Sequence, residues 1–185
     1  MSANPEVVVF FSGKRKSGKD YVIEKLLKRL DEKQVAIVRL SAPIKLHWAR
    51  TKGLSFEQLL DNTPYKENFR LEMIEWSEHQ RFQNPSVFCD AAIELSEAFK
   101  KPIWLVPDGR RKTDLEYFQN KFPGRLRCLR ITASEETRKA RGWSFTEGVD
   151  DAPSECGLDA VLDHEWDLIN CDINSSISCN YWQNT

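Results

Sequence analysis

Val7-Val8-Val9-Phe10-Phe11-Ser12-Gly13-Lys14-Arg15-Lys16-Ser17-Gly18-Lys19-Asp20 is the stretch that decides the fold. Its first five residues are an unbroken β-branched and aromatic run, the mark of a strand buried on both faces. Gly13 and Gly18 then punctuate a polar turn. From Lys19 onward, Val22, Ile23, Leu26, Leu27 and Leu30 recur on one helical face. The order is strand, glycine-bounded loop, helix. Gly13 to Asp20 fits G-x-x-x-x-G-K followed by Asp, a P-loop whose last position is ordinarily Ser or Thr. Its glycines let backbone N–H groups turn inward around phosphate oxygens, and the helix N-terminus adds partial positive charge. Lys14, Arg15, Lys16 and Lys19 crowd four cations against a helix end that repels cations, which makes sense with a bound polyanion. Lys19 is expected to reach the phosphates with little packing of its own. Asp20 can bind Mg²⁺ directly, hold a metal-bound water, or simply favour the helix N-terminus; the spacing does not choose between these.

Outward from this stretch, strands alternate with helices. Val35–Leu40, Ile103–Val106, Leu126–Ile131 and Trp166–Ile169 read as four further strands. Ser55-x-x-Gln58 and Thr113-x-x-Glu116 read as capping boxes. Phe88, Ala91, Ala92, Leu95, Ala98 and Phe99 form a helical stripe expected to pack in the core. Residues 41–100 hold helical patterns and no convincing strand, so they read as a helical insertion between the second and third strands. The fold class is α/β: a parallel five-stranded sheet with helices on both faces.

The 185 residues suffice for one domain, and a core of this size needs no disulfide or metal staple. Net charge is −1, which argues against a nucleic-acid partner. The apolar run from Val7 to Phe11 is far short of a membrane span, and no secretory leader is expected. Five cysteines, none in C-x-x-C spacing, read as reduced thiols. His47, His79 and His164 are scattered, which argues against a zinc site.

Further charges stand at strand ends, where ligands bind in open α/β sheets. Asp108 follows the third strand and is placed to hold Mg²⁺ or its water. Arg110 and Arg111 come next and can grip phosphate bidentately. Arg138 and Arg141, three residues apart, share a helical face and read as a lid over the phosphates. Asn120-Lys121-Phe122-Pro123 lacks the Asp that a guanine-reading motif requires. A small P-loop domain with a helical insertion and an arginine lid is similar to the nucleoside-monophosphate-kinase group, in which the insertion would grip the phosphoryl acceptor.

Several strings are more specific. They are Phe11 to Asp20, Pro102-Ile103-Trp104-Leu105-Val106, Asp108-x-Arg110-Arg111, and above all Arg141-Gly142-Trp143-x-Phe145-Thr146-x-Gly148-Val149-Asp150-Asp151-Ala152-x-Ser154-Glu155-Cys156-Gly157-Leu158-Asp159. Over residues 7 to about 170 the chain resembles the animal-type phosphomevalonate kinases, whose loop also ends in Asp. The resemblance implies ATP-dependent phosphorylation of (R)-5-phosphomevalonate to (R)-5-diphosphomevalonate, with ATP and Mg²⁺ as cofactors, in isoprenoid and sterol synthesis. It implies an ATP site at Gly13, Lys14, Arg15, Lys16, Ser17, Gly18, Lys19, Asp20, Arg138 and Arg141. It implies an acceptor site at Lys45, Arg70, Arg81, Arg110, Arg111 and Asn170. Lys14, Lys16, Lys19, Arg110 and Arg111 are the expected catalytic residues, and Asp20 and Asp108 the expected metal carboxylates. No protein base is required, because the acceptor phosphate is already anionic.

The expected organisation is a kinase domain over 1–170, with an acceptor-binding insertion near 41–100, a lid near 134–158, and an atypical tail at 171–185. The tail carries one charged residue, Asp172, where the family continues into a charged helix, and it has no peroxisomal S-K-L-like ending. A cytosolic monomer without membrane insertion is therefore expected. The alternatives are a deoxynucleoside monophosphate kinase, which shares the K-x-S-G-K-D loop, and a nucleotide-binding variant weakened by its tail.

Overall fold

The computed structural model describes residues 4–60, 64–161 and the backbone of 168–170. The tail at 171–185, Trp166 and Asp167 lie outside the described residues. Five parallel strands, β1 (Val7–Ser12), β2 (Val35–Ile37), β3 (Ile103–Val106), β4 (Leu126–Ile131) and β5 (Leu168–Asn170), lie in the order β2-β3-β1-β4-β5. β1 is central. Phe10 stands opposite Val106 on one side and Cys128 on the other. The loops leaving β1 and β3 therefore open side by side at the carboxyl edge, which brings the P-loop to Asp108–Arg111.

The uninterrupted apolar run of β1 has its reason in the two faces it serves. Val8 and Phe10 point into one core with Val106, Leu115, Phe118 and Leu158. Val9 and Phe11 point into the other with Ile23 and Leu105, closed by Val22, Leu26 and Leu27 of α1 (Lys19–Leu27). Fully burying each such side chain contributes about 1.5–3 kcal/mol, so a polar substitution anywhere in this strand would be felt.

Between β2 and β3 run α2 (Ala42–Lys52), α3 (Phe56–Leu60), a 3₁₀ turn (Pro64–Phe69), α4 (Arg70–Gln83) and α5 (Val87–Leu95). They surround a third apolar cluster of Ile44, Trp48, Leu59, Met73 and Phe88. His47 stacks on Trp76 there at 4.1 Å. α6 (Lys112–Lys121) follows β3, and α7 (Glu135–Ala140) and α8 (Pro153–Cys156) follow β4. No helix among the described residues is long and apolar enough to cross a membrane.

Three local expectations need correction. The stripe from Phe88 to Phe99 is not one buried helical face. α5 stops at Leu95, Glu97 adopts φ +48, and Leu95 and Phe99 are exposed while Phe88, Ala92 and Ala98 are buried. The capping box at α6 is shifted as well: Arg111 is the N-cap residue and Asp114, not Glu116, reaches back to its N–H. β2 ends at Ile37, three residues before Leu40. At α3 the Gln58 amide does donate to the Ser55 hydroxyl, at 3.3 Å.

Candidate active site

The P-loop turns on three positive backbone angles: Gly13 at φ +152, Lys16 at +61 and Gly18 at +97. Gly13 also has no room for a side chain, because a Cβ there would lie 2.4 Å from the Ile131 carbonyl oxygen. The loop thus hugs the end of β4 and delivers Lys19 to the first turn of α1.

Above it opens a cleft of about 530 Å³. Lys14, Arg15, Lys16, Ser17, Gly18, Lys19 and Asp20 of the P-loop line it. Lys45 of α2, Arg70 and Arg81 of α4, and Asp108, Arg110 and Arg111 of the β3–α6 loop line it as well. Arg70, Ile74, Ser77 and Arg81 recur at helical spacing, so α4 turns one face to the cleft. Arg141 lines it from the end of α7.

Gly13 and Arg138 do not line the cleft. Gly13, where the loop begins, is packed against the end of β4. The Arg138 guanidinium lies 4.0 Å from the Trp143 ring centroid, and its Nε donates to the Arg15 carbonyl oxygen at 2.8 Å. Arg141 donates to the Ser17 carbonyl oxygen at 2.9 Å. Both lid arginines therefore grip the P-loop backbone itself. Asn170 stands opposite Ile131 in the sheet register, and its side chain lies outside the described residues.

Lys19 differs from its expected state. It is buried, 7% exposed, and its Nζ donates to the Pro107 carbonyl oxygen at 2.5 Å. Burial lowers its pKa from the ordinary 10.5, the nearby Arg110 charge adds to this, and Asp20 and Asp108 partly oppose it. The ammonium is thus pre-positioned rather than free. Asp20 is exposed, with one carboxylate oxygen 3.5 Å from Nζ. The Asp108 carboxylate does more than face the cleft: its oxygens accept the Leu40 N–H at 2.8 Å and the Ser41 N–H at 3.0 Å, which ties the segment after β2 to the loop after β3. Burial would raise its pKa, but the Ser41 hydroxyl and amide, the Lys19 charge and the Leu40 amide outweigh that and hold it below the usual value.

The carboxylates that hold these cations escaped the sequence reading. Glu155 accepts from the Arg15 N–H at 3.1 Å and from Arg110 Nη1 at 2.7 Å. Asp150 accepts from Arg15 Nη1 at 2.8 Å, from the Trp143 indole at 2.9 Å and from the Thr146 N–H at 2.8 Å. Glu78 accepts from Arg111 Nε at 3.0 Å, and Lys14 pairs with Asp159 at 2.6 Å. Asp150 and Glu155 gather beside the lid because they clamp it to the P-loop and to Arg110. Asp151 is exposed and takes no such part. The only hint of this in the sequence was the crowding of acids in the string from Arg141 to Asp159.

A parallel sheet with a P-loop at its central strand, a helical insertion and a cation-lined cleft defines a P-loop kinase of a small acceptor. The sequence model of the phosphomevalonate kinase family matches residues 11–124. A phosphomevalonate kinase of Drosophila melanogaster is 48% identical over 158 residues, covering 84% of this chain and 83% of that protein. The chain belongs to the phosphomevalonate kinase family. Solved structures it is similar to include a gluconokinase from Sinorhizobium meliloti 1021 (TM-score 0.46, 13% identity, 91% of this chain and 83% of that one). Another is TT1252 from Thermus thermophilus (TM-score 0.41, 14% identity, 93% of this chain and 91% of that one).

Proposed function

We propose that the chain transfers the γ-phosphoryl group of ATP to the phosphate of (R)-5-phosphomevalonate, giving (R)-5-diphosphomevalonate and ADP in the mevalonate route to isoprenoids and sterols. The observation that carries this reading is the convergence of two cation sets on one cleft. Lys14, Arg15, Lys16 and Lys19 come from the P-loop, and Lys45, Arg70, Arg81, Arg110 and Arg111 from the insertion and the β3–α6 loop. Bringing two polyanions together for in-line transfer requires such a lining, and charge stabilisation is the main catalytic contribution a protein can make to phosphoryl transfer.

In this reading the P-loop N–H groups and Lys19 hold the β and γ phosphates. Lys14 and Lys16 add charge at the transferring group. Arg110 and Arg111 orient the acceptor, with Arg81, Arg70 and Lys45 beside them, and Asn170, at the end of β5, is assigned to the acceptor by the family resemblance alone. Arg138 and Arg141 brace the loop and close the lid. Three parts then divide the work: the sheet core, the insertion over 41–100 that grips the acceptor, and the lid over 134–158. The enzyme works as a cytosolic monomer.

The donor set suits Mg²⁺. Asp20 offers an exposed carboxylate at the cleft mouth, and both Asp108 oxygens, already bonded to backbone N–H, remain able to accept from a metal-bound water. Bound there with the nucleotide, the ion would neutralise phosphate charge.

The test is ADP release measured with phosphomevalonate and with a panel of nucleoside monophosphates. Phosphomevalonate is expected to be the acceptor. Turnover with nucleoside monophosphates alone would replace this reading with a nucleotide-kinase one, and ATP binding without turnover on any acceptor would replace it with a nucleotide-binding one.

A further inference from the structure

The acceptor-side arginines come from two separate elements, α4 and the β3–α6 loop, yet one buried carboxylate joins them. Asp114 is 1% exposed. Its Oδ1 accepts from Arg81 Nη1 at 2.6 Å and from the Cys89 thiol at 3.8 Å. Its Oδ2 faces the backbone N–H of Arg111 at 3.3 Å and that of Arg110 at 3.5 Å.

A buried carboxylate is costly unless it is paired and fully hydrogen-bonded. An Asp in the first turn of an exposed helix would win its dipole interaction without that cost. Here the same first-turn Asp is turned inward to meet Arg81. The Arg81 guanidinium lies over the Phe88 ring at 4.9 Å, its Nε has no partner among the described residues, and Asp114 is its ionic partner. Arg111 and Arg110 already have side-chain partners in Glu78 and Glu155. What Asp114 adds for these two is control of the backbone from which they project.

We propose that Asp114 is a positioning residue for the phosphoryl acceptor, fixing the Arg81 head group and the Arg110–Arg111 backbone in one register. The proposal rests on the acceptor reading given above. Asp114 touches no reacting atom in this account. It acts through three arginines, and a misplacement of about 1 Å at such groups is enough to cost orders of magnitude in rate.

Calorimetric titration of phosphomevalonate and of ATP into the full-length wild type, Asp114→Asn, Arg81→Met and the double variant tests this. Asp114→Asn is expected to weaken phosphomevalonate about tenfold and ATP by less than about twofold, as lost support of a binding side chain typically does. On the Arg81→Met background the same change is expected to have a smaller effect, because the part exerted through Arg81 is already lost and only the part exerted through the Arg110–Arg111 backbone remains. Should Asp114→Asn alone fold poorly, the double variant, which removes both buried charges together, carries the comparison with Arg81→Met. Equal weakening of both ligands, or a full tenfold loss repeated on the Arg81→Met background, would overturn the positioning role. A wild type that binds ATP but not phosphomevalonate would overturn the acceptor reading itself. A wild type that binds both, with Asp114→Asn binding phosphomevalonate unchanged, would overturn only the role of Asp114.

Discussion

Gly109→Ala should be among the most damaging single-methyl changes in this protein, although Gly109 does not line the cleft. Gly109 lies between Asp108 and Arg110, directly over the ring of Phe10. A Cβ built there would lie 2.0 Å from Phe10 Cζ and 2.4 and 2.6 Å from its Cε atoms. Ordinary carbon contacts begin near 3.5 Å, so one partner must retreat by roughly 1.5 Å. Phe10 cannot easily do so, because it is fully buried in the central strand and packs on Phe118 with ring centroids 6.0 Å apart. The loop must therefore lift, carrying with it Asp108, Arg110 and Arg111. Overpacking of this kind costs about 2–3 kcal/mol. For a domain of this length that lowers Tm by about 4–12 °C. Displacement of the acceptor arginines should lower kcat/KM by about 100-fold. Differential scanning fluorimetry and a coupled ADP-release assay read the two effects. Adding Phe10→Leu to Gly109→Ala should recover part of both, since it removes the ring the methyl strikes. Wild-type Tm and kcat/KM in Gly109→Ala would refute the reasoning, as would a double variant worse than the sum of its parts.

Lys19→Met should lower turnover by at least about 100-fold, because a phosphate-gripping cation is lost. Since Lys19 is buried, thermal melts should also show a changed stability; ADP release near wild type would contradict its role. The lowered Lys19 pKa has a proton consequence. In the free protein this group deprotonates below 10.5, so burial of its charge costs stability at neutral pH, and that cost is relieved as pH rises through the folded pKa. Bound phosphates should raise the pKa again, so on the alkaline side ATP binding should take up a proton, seen as a buffer-dependent heat that Lys19→Met abolishes. Arg110→Ala and Arg111→Ala should each raise the KM for the acceptor at least about tenfold with little change for ATP. Arg110→Ala should lower Tm more, because it strands the buried Glu155, whereas Glu78 opposite Arg111 is 37% exposed. Loss of ATP affinity with acceptor affinity intact would contradict both roles.

The core of the fold is legible in the sequence because its signals are local. A continuous apolar run announces β1, glycine spacing announces the loop, and a 3.6-residue period announces α1. What failed were features decided at a distance. Leu95 and Phe99 fit a helical stripe, but α5 ends at Leu95 and the chain turns at Glu97, so Phe99 leaves that face, and Leu95 at the helix end stays exposed. Lys19 is buried where the turn after β3, 88 residues away, offers it the Pro107 carbonyl oxygen. The cations of the site could be listed from the sequence. Their counter-ions could not, since Arg15 meets Asp150 across 135 residues and Arg81 meets Asp114 across 33. Spacing carries no record of such pairs.

The most direct measurement of the central claim is phosphorus NMR of the wild-type protein mixed with ATP, Mg²⁺ and phosphomevalonate. The account predicts that the phosphomonoester signal of phosphomevalonate is replaced by a coupled pair of diphosphate signals as ADP appears in equal amount. ADP formation with the phosphomonoester signal unchanged, or no reaction beside turnover of a different acceptor, would contradict it.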